Sequence, residues 1–220
     1  MIILLQDKAN SKAEILVENT IDGGKKMFIS GNFLMFNKPN RNKRVYPEKI
    51  MDAAVNQYRK DYIEKNRALG EMNHPPGRLS VDPERACIMT TELNKDGNYY
   101  HGKAKVLSTP LGNVLKALLE DGVNVGVSSR GVGSLTSRGP HKEVGNDFSI
   151  STAADIVFDP SVADAFVEHL MEEKEYILVG GQYLEKDMFQ SKLNILKAPS
   201  IHLQEAKLKA FNDFLSKIKS

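Results

Sequence analysis

Residues 126–131, Gly-Val-Ser-Ser-Arg-Gly, set two serines and an arginine between glycines in a run that reads as a β-strand. Glycine weakens a strand and marks places where other backbone or a ligand comes close. A second constrained segment lies upstream at Gly70-Glu71-Met72-Asn73-His74-Pro75-Pro76, where the double proline forbids helix after the histidine. A serine and a histidine, each in a restricted backbone setting, are the minimum kit for nucleophilic catalysis.

The flanking sequence is strand-rich. Met1 to Asp7, Ala13 to Glu18 and Met27 to Phe36 read as strands, the last two separated by Asp22-Gly23-Gly24. A polar, basic loop spans 37–44, and Pro47 opens a helix with Ile50, Ala54, Tyr58 and Tyr62 at helical spacing. Ala86 to Leu93 and Tyr99 to Leu107 form a hairpin around Asn94-Lys95-Asp96-Gly97. Thr109-Pro110 caps a short helix that ends at Gly122. Strands follow over 123–135 and 148–158 with a polar loop between them, and 162–173 reads as a helix. From about Gly180 the character changes, and Leu208, Phe211, Leu215 and Ile218 recur at spacings of three and four. That pattern is an amphipathic helix with a lysine-rich opposite face. It reads either as a terminal helix docked on the body or as a partner-binding helix on a linker. The expected domains are 1–180 and a tail over 181–220. The expected class is α+β, a mainly antiparallel sheet or barrel flanked by helices.

Composition narrows the function classes. A net charge of +2 does not call for nucleic acid as a partner. No apolar stretch approaches the roughly 18 residues of a membrane span, and the first residues lack the basic lead of a signal peptide. The single cysteine, Cys87, lies in an apolar run and reads as a small core residue, which suits a reducing compartment. Glu71 and His74 lack a strong third ligand, so neither a metal nor another cofactor is expected. The hydrolase elbow would need glycine where Arg130 stands, and the dinucleotide fingerprint meets Thr136 at its third glycine.

On a strand, neighbours face opposite ways, so Ser128 shares a face with Arg130 while Ser129 points to the other. Asp155 is the one charge in the apolar or small run 148–158, a placement that calls for burial with a partner. On residues alone two readings stand. Ser128, His74 and Asp155 form a catalytic triad, or Asp155 is a strand residue satisfied by backbone and His74 merely shapes a bend.

The segments 70–75 and 126–134, with Asn40 to Pro47 and Asp159-Pro160-Ser161, closely resemble the prohead core proteases of tailed phages over about 28–166. These are similar to the herpesvirus assemblins, serine proteases that cut an internal scaffold as a capsid matures. The resemblance implies a compact β-barrel surrounded by helices, with Ser128 as nucleophile and His74 as base. Assemblins use a second histidine as third member, but none occurs between His141 and His169; the resemblance implies Asp155, the acid at the matching strand, in that place. Ser129, Arg130 and Gly131 are implied at the oxyanion site, Arg130 through its amide or its side chain. The family preference for cutting after glutamate, with Leu or Ile two residues before it, points to Leu203-Gln204-Glu205 followed by Ala206. Leu170-Met171-Glu172 and Leu16-Val17-Glu18 match too, but sit in a predicted helix and a predicted strand. Self-cleavage after Glu205 would free the tail.

The expected partners are phage scaffold, core and capsid proteins as substrates, with a homodimer or higher oligomer possible, no membrane and no nucleic acid. The expected place is the assembling prohead in the host cytoplasm. The alternative reading is a non-catalytic scaffold or core component. The run from Arg41 to Arg44 reads as a solvated loop, a contact for scaffold acids, or a clamp on the helix start.

Overall fold

A computed structural model of the chain describes residues 3–8, 13–19, 25–73, 77–158, 176–179, 182–186, 189–190 and 193. The chain divides into two compact units, 1–161 and 162–220.

The first unit contains strands β1 (Ile3–Lys8), β2 (Glu14–Asn19), β3 (Lys25–Met35), β4 (Arg44–Val45), β5 (Leu69–Glu71), β6 (Ala86–Asp96), β7 (Tyr99–Val106), β8 (Gly126–Gly133), β9 (Leu135–Arg138), β10 (His141–Val144) and β11 (Ser149–Val157). Helix α1 (Glu48–Tyr58) runs on into a π turn at Arg59–Ile63, and α2 spans Pro110–Glu120. The second unit shows an antiparallel hairpin of β12 (Tyr176–Val179) and β13 (Gln182–Glu185). No described helix is long and apolar enough to cross a membrane.

Local sequence explains most of these elements. In β7, Tyr100, Gly102, Ala104 and Val106 alternate inward with polar residues outward, the period of a half-buried strand. Residues 152–157 of β11 are buried without alternation, which suits a strand covered on both faces and accounts for the small Ala153 and Ala154. In α2 the Thr109 hydroxyl accepts from the Gly112 amide, Pro110 fills the first turn, and Leu115 and Leu119 pack inward. In α1 the buried stripe is Met51, Ala54, Val55 and Tyr58, so of the expected Ile50, Ala54, Tyr58 and Tyr62 the middle two are buried and the outer two half-buried. The polar loop expected between the last two long strands contains the β9–β10 hairpin, which also pairs with β4.

The expected closed barrel surrounded by helices is not formed by the described residues, which contain two α-helices. Strand β8 lies between β1 and β11, while β2, β3, β7, β6 and β5 follow one another in a second sheet. The two sheets touch at a seam where Met72, just past β5, makes a single parallel bridge to Ile156 on β11. The seam does not extend into a ladder because Asn73 turns the chain away in a left-handed conformation, φ 55°. The expected helices at 162–173 and over the C-terminal tail lie outside the described residues.

Gly70 makes this seam possible. A Cβ there would sit 2.0 Å from the Ala154 oxygen and 2.8 Å from Ile88 Cγ1, so no side chain fits between β5 and β11. Gly70→Ala is expected to cost at least about 2–3 kcal/mol, because backbone must move to admit it. Urea unfolding of the variant beside wild type measures the loss.

Candidate active site

The site is built on the face of β8 that carries Ser128 and Arg130. Ser128 stands directly opposite Asp155 in the β8–β11 register, which puts their Cβ atoms about 5 Å apart on one face. The ladder is interrupted between Thr152 and Asp155, where the extra residue of a bulge lies opposite Ser129. Tyr58 of α1 supports this bulge: its buried hydroxyl bonds with the Ala153 backbone, and burial raises its pKa.

Ser128 is fully buried, and its Oγ donates to the backbone oxygen of Asp7 at 3.1 Å. Ser129 is half-buried on the opposite face, with its Oγ 3.5 Å from the same oxygen. It lines a cleft with Asp7, Asn32, Tyr46 and Phe148. Gly131 lies under Phe148, where a Cβ would come within 2.6 Å of the ring and 2.7 Å of the Ser149 oxygen.

Among the described residues Arg130 is the largest fully buried side chain. Its Nε donates to Asp155 Oδ2 at 2.6 Å and its Nη2 to Oδ1 at 3.1 Å, a bidentate pair. Its Nη1 donates to the backbone oxygens of Arg78 at 3.0 Å and Ser80 at 3.5 Å. The guanidinium is thus committed to the interior. Asp155 is buried and paired, as its setting in the sequence required. Its Oδ1 also accepts from the Glu71 amide at 2.8 Å.

His74 and the pair Glu205–Ala206 lie outside the described residues. The residue before His74 is placed firmly, because the Asn73 amide donates to the Ile156 oxygen at 2.8 Å. Strand β11 therefore has Ser128 across from Asp155 on one side and Asn73 bonded next to Asp155 on the other.

Two features of the site escaped the sequence reading. Glu71, weighed there as a metal ligand, is fully buried and spends one carboxylate oxygen on Arg78 and the Asp82 amide. Asp7 anchors the basic loop: its carboxylate accepts from Asn42 at 2.6 Å, from Arg44 at 2.9 Å and from the Tyr46 hydroxyl. Arg44 is buried, so the run over 41–44 clamps β1 rather than the start of α1, while Arg41 and Lys43 stay exposed. A lone acid near the end of the first strand is the only signal for Asp7, and it names no partner. Burial pushes the Cys87 thiol up to about 12, with the Asp155 and Glu71 carboxylates adding to it, which makes this cysteine an inert core residue. Among the described residues no three His, Cys, Asp or Glu side chains converge as metal ligands.

Residues 5–175 match the prohead core protein serine protease family. The prohead core protein protease of Enterobacteria phage T4 is 39% identical over 144 residues, 64% of this chain and 68% of that protein. The solved bacteriophage T4 capsid assembly protease superposes with a TM-score of 0.68 at 34% identity, over 72% of this chain and 99% of that one. With a family match across most of its length and a relative this similar, the chain belongs to the prohead core protein serine protease family.

Proposed function

We propose that this prohead protease is a serine endopeptidase in which Ser128 is the nucleophile, His74 the general base and Asp155 the acid that orients the imidazole. One observation carries the reading. Strand β11 joins the segments bearing all three residues: Asp155 faces Ser128, and Ile156 holds the residue before His74. In this mechanism the imidazole takes the hydroxyl proton as Ser128 Oγ attacks a peptide carbonyl. The same imidazole then protonates the leaving amine, and water activated by it hydrolyses the acyl-enzyme. The oxyanion donors fall among the amides of Ser129, Arg130 and Gly131, where the bulge interrupts the ladder. Before attack, Ser128 must turn away from the Asp7 carbonyl, giving up one hydrogen bond worth about 1 kcal/mol.

The substrates are scaffold, core and capsid proteins inside the maturing prohead, cut after glutamate in Leu/Ile-x-Glu sequences. The chain cuts itself after Glu205, which removes residues 206–220. Mass spectrometry of the active protein is expected to show this fragment, and Glu205→Gln to suppress it. An intact tail beside processed scaffold would exclude the self-cleavage.

A second reading places the nucleophile at Ser129, because this hydroxyl and not that of Ser128 reaches a surface cleft. A fluorophosphonate probe separates the two. The adduct is expected on the peptide containing Ser128, with fragmentation assigning it to that residue. An adduct on Ser129 would move the nucleophile one position, and no adduct under conditions of active cleavage would refute the serine mechanism.

A further inference from the structure

One residue of β11 that the ladder beside it cannot pair decides which way Asp155 points. Thr152 faces Arg130 and Asp155 faces Ser128, so Ala153 and Ala154 share the place opposite Ser129. Continued from Thr152 without a break, the same ladder would set Ala154 against Ser128 and Asp155 against Val127. Side chains alternate along a strand, so a slip of one residue would carry the carboxylate to the other face. The bulge is therefore what brings the acid and the serine hydroxyl onto one face.

A bulge disrupts the ladder locally, and the backbone groups it frees in the interior need partners from elsewhere. Strand β11 has an earlier irregularity at Ser151, whose hydroxyl donates to the Leu79 oxygen in the turn after β5 at 2.6 Å. At the second irregularity Ala153 and Ala154 are fully buried. Helix α1 packs on β11, and the hydroxyl of Tyr58, the last residue of that helix, bonds with the Ala153 backbone. The next residue is confined by β5: the Ala154 oxygen lies against Gly70, where a Cβ would come within 2.0 Å. Tyr58 is itself 2% exposed, and its ring stacks on Tyr62 with centroids 5.0 Å apart. The π turn that begins directly after Tyr58, closed by the Glu64 amide donating to the Arg59 oxygen at 2.9 Å, carries Tyr62. Such an insertion in a helix is frequent at functional sites, and here it adjoins the residue that braces the insertion in the strand.

We propose that Tyr58 is a positioning residue that keeps Asp155 in register with Ser128 by holding the bulge through its hydroxyl. This rests on the reading of Ser128 as the nucleophile and Asp155 as the acid. Tyr58 takes no part in the chemistry itself; it acts through the backbone of Ala153, two residues before the acid.

The test is Tyr58→Phe in the full chain, which removes the oxygen and keeps the ring, assayed on a peptide containing a Leu-x-Glu site. Misplacing a catalytic group by about an ångström costs on the order of 100-fold. We expect kcat to fall by about 10- to 100-fold with KM changed less than about twofold. Amide exchange across 150–157, read by mass spectrometry, should quicken while other segments exchange as in wild type. Tyr62→Phe, which leaves the bond to Ala153 in place, should change kcat less than about twofold. A cycle with Asp155→Asn tells positioning from general support. Residues that act as a unit are not additive, so once the acid is gone Tyr58→Phe should lower the residual kcat less than about twofold. Wild-type kcat in Tyr58→Phe, a loss that follows the unfolded fraction, or an equal fold-loss in the Asp155→Asn background would overturn the proposal. Ser128→Ala run in parallel separates the failures. An active Ser128→Ala enzyme removes the catalytic reading and this inference with it; an inactive one beside a normal Tyr58→Phe enzyme removes this inference alone.

Discussion

Ser128→Ala is expected to lower kcat for a Leu-x-Glu peptide on the order of 10⁴- to 10⁶-fold, the scale seen when a nucleophilic serine is deleted. KM and the thermal midpoint should stay near wild type. The structural loss is small, because the hydroxyl makes one hydrogen bond, to the Asp7 carbonyl, worth about 1 kcal/mol. Alanine keeps the Cβ on a strand that pairs on both sides with β1 and β11. The neighbouring variant is the sharper control. Ser129 points to the other face, towards Asp7 and the cleft with Tyr46 and Phe148, so Ser129→Ala should change kcat by no more than a few-fold. Peptide cleavage followed by mass spectrometry reads both. A dead Ser129→Ala enzyme beside an active Ser128→Ala enzyme would transfer the mechanism to the cleft. Full activity in both would leave the chain without a serine nucleophile on β8.

The part of this site legible in the sequence is the part set by local pattern. The glycines around 126–133 and the small, apolar run ending at Val157 announced two buried strands, and both are present as neighbours. A single acid in that run had to be paired, and Asp155 is. The partner was hidden because it depends on register: Arg130 lies 25 residues away, and the carbonyl of Arg78 that also binds it lies 52 away. Arg44 shows the same limit. In a run of basic residues it looks like a solvated charge, and only Asp7, 37 residues away, makes it a buried one. Barrel closure failed for a related reason. Each strand signal was sound, but whether sheets close depends on seams such as Met72–Ile156, which one left-handed residue at Asn73 cuts short. The β9–β10 hairpin was missed because its strands are four residues each and mostly not buried, so no alternation marks them.

Arg130→Met is expected to be the most destabilising single change at the site, costing about 3–5 kcal/mol. Methionine replaces the apolar stem and packs adaptably, so little of the loss is cavity. The loss comes from Glu71 and Asp155, which keep their burial and lose the cation between them. The donors to the Arg78 and Ser80 oxygens go as well. Arg130→Lys should recover only part, because an ammonium is a point charge and cannot span Asp155 bidentately while reaching the turn. A double-mutant cycle isolates the cause. If charge compensation is what Arg130 supplies, its replacement costs less where Glu71 is already neutral. The coupling between Arg130→Met and Glu71→Gln should then be about 1–3 kcal/mol, the range for residues in one network. Urea unfolding of the four proteins gives it directly. Equal costs in both backgrounds would mean that Arg130 holds this region by packing and backbone contacts, and that the carboxylate of Glu71 gains nothing from it.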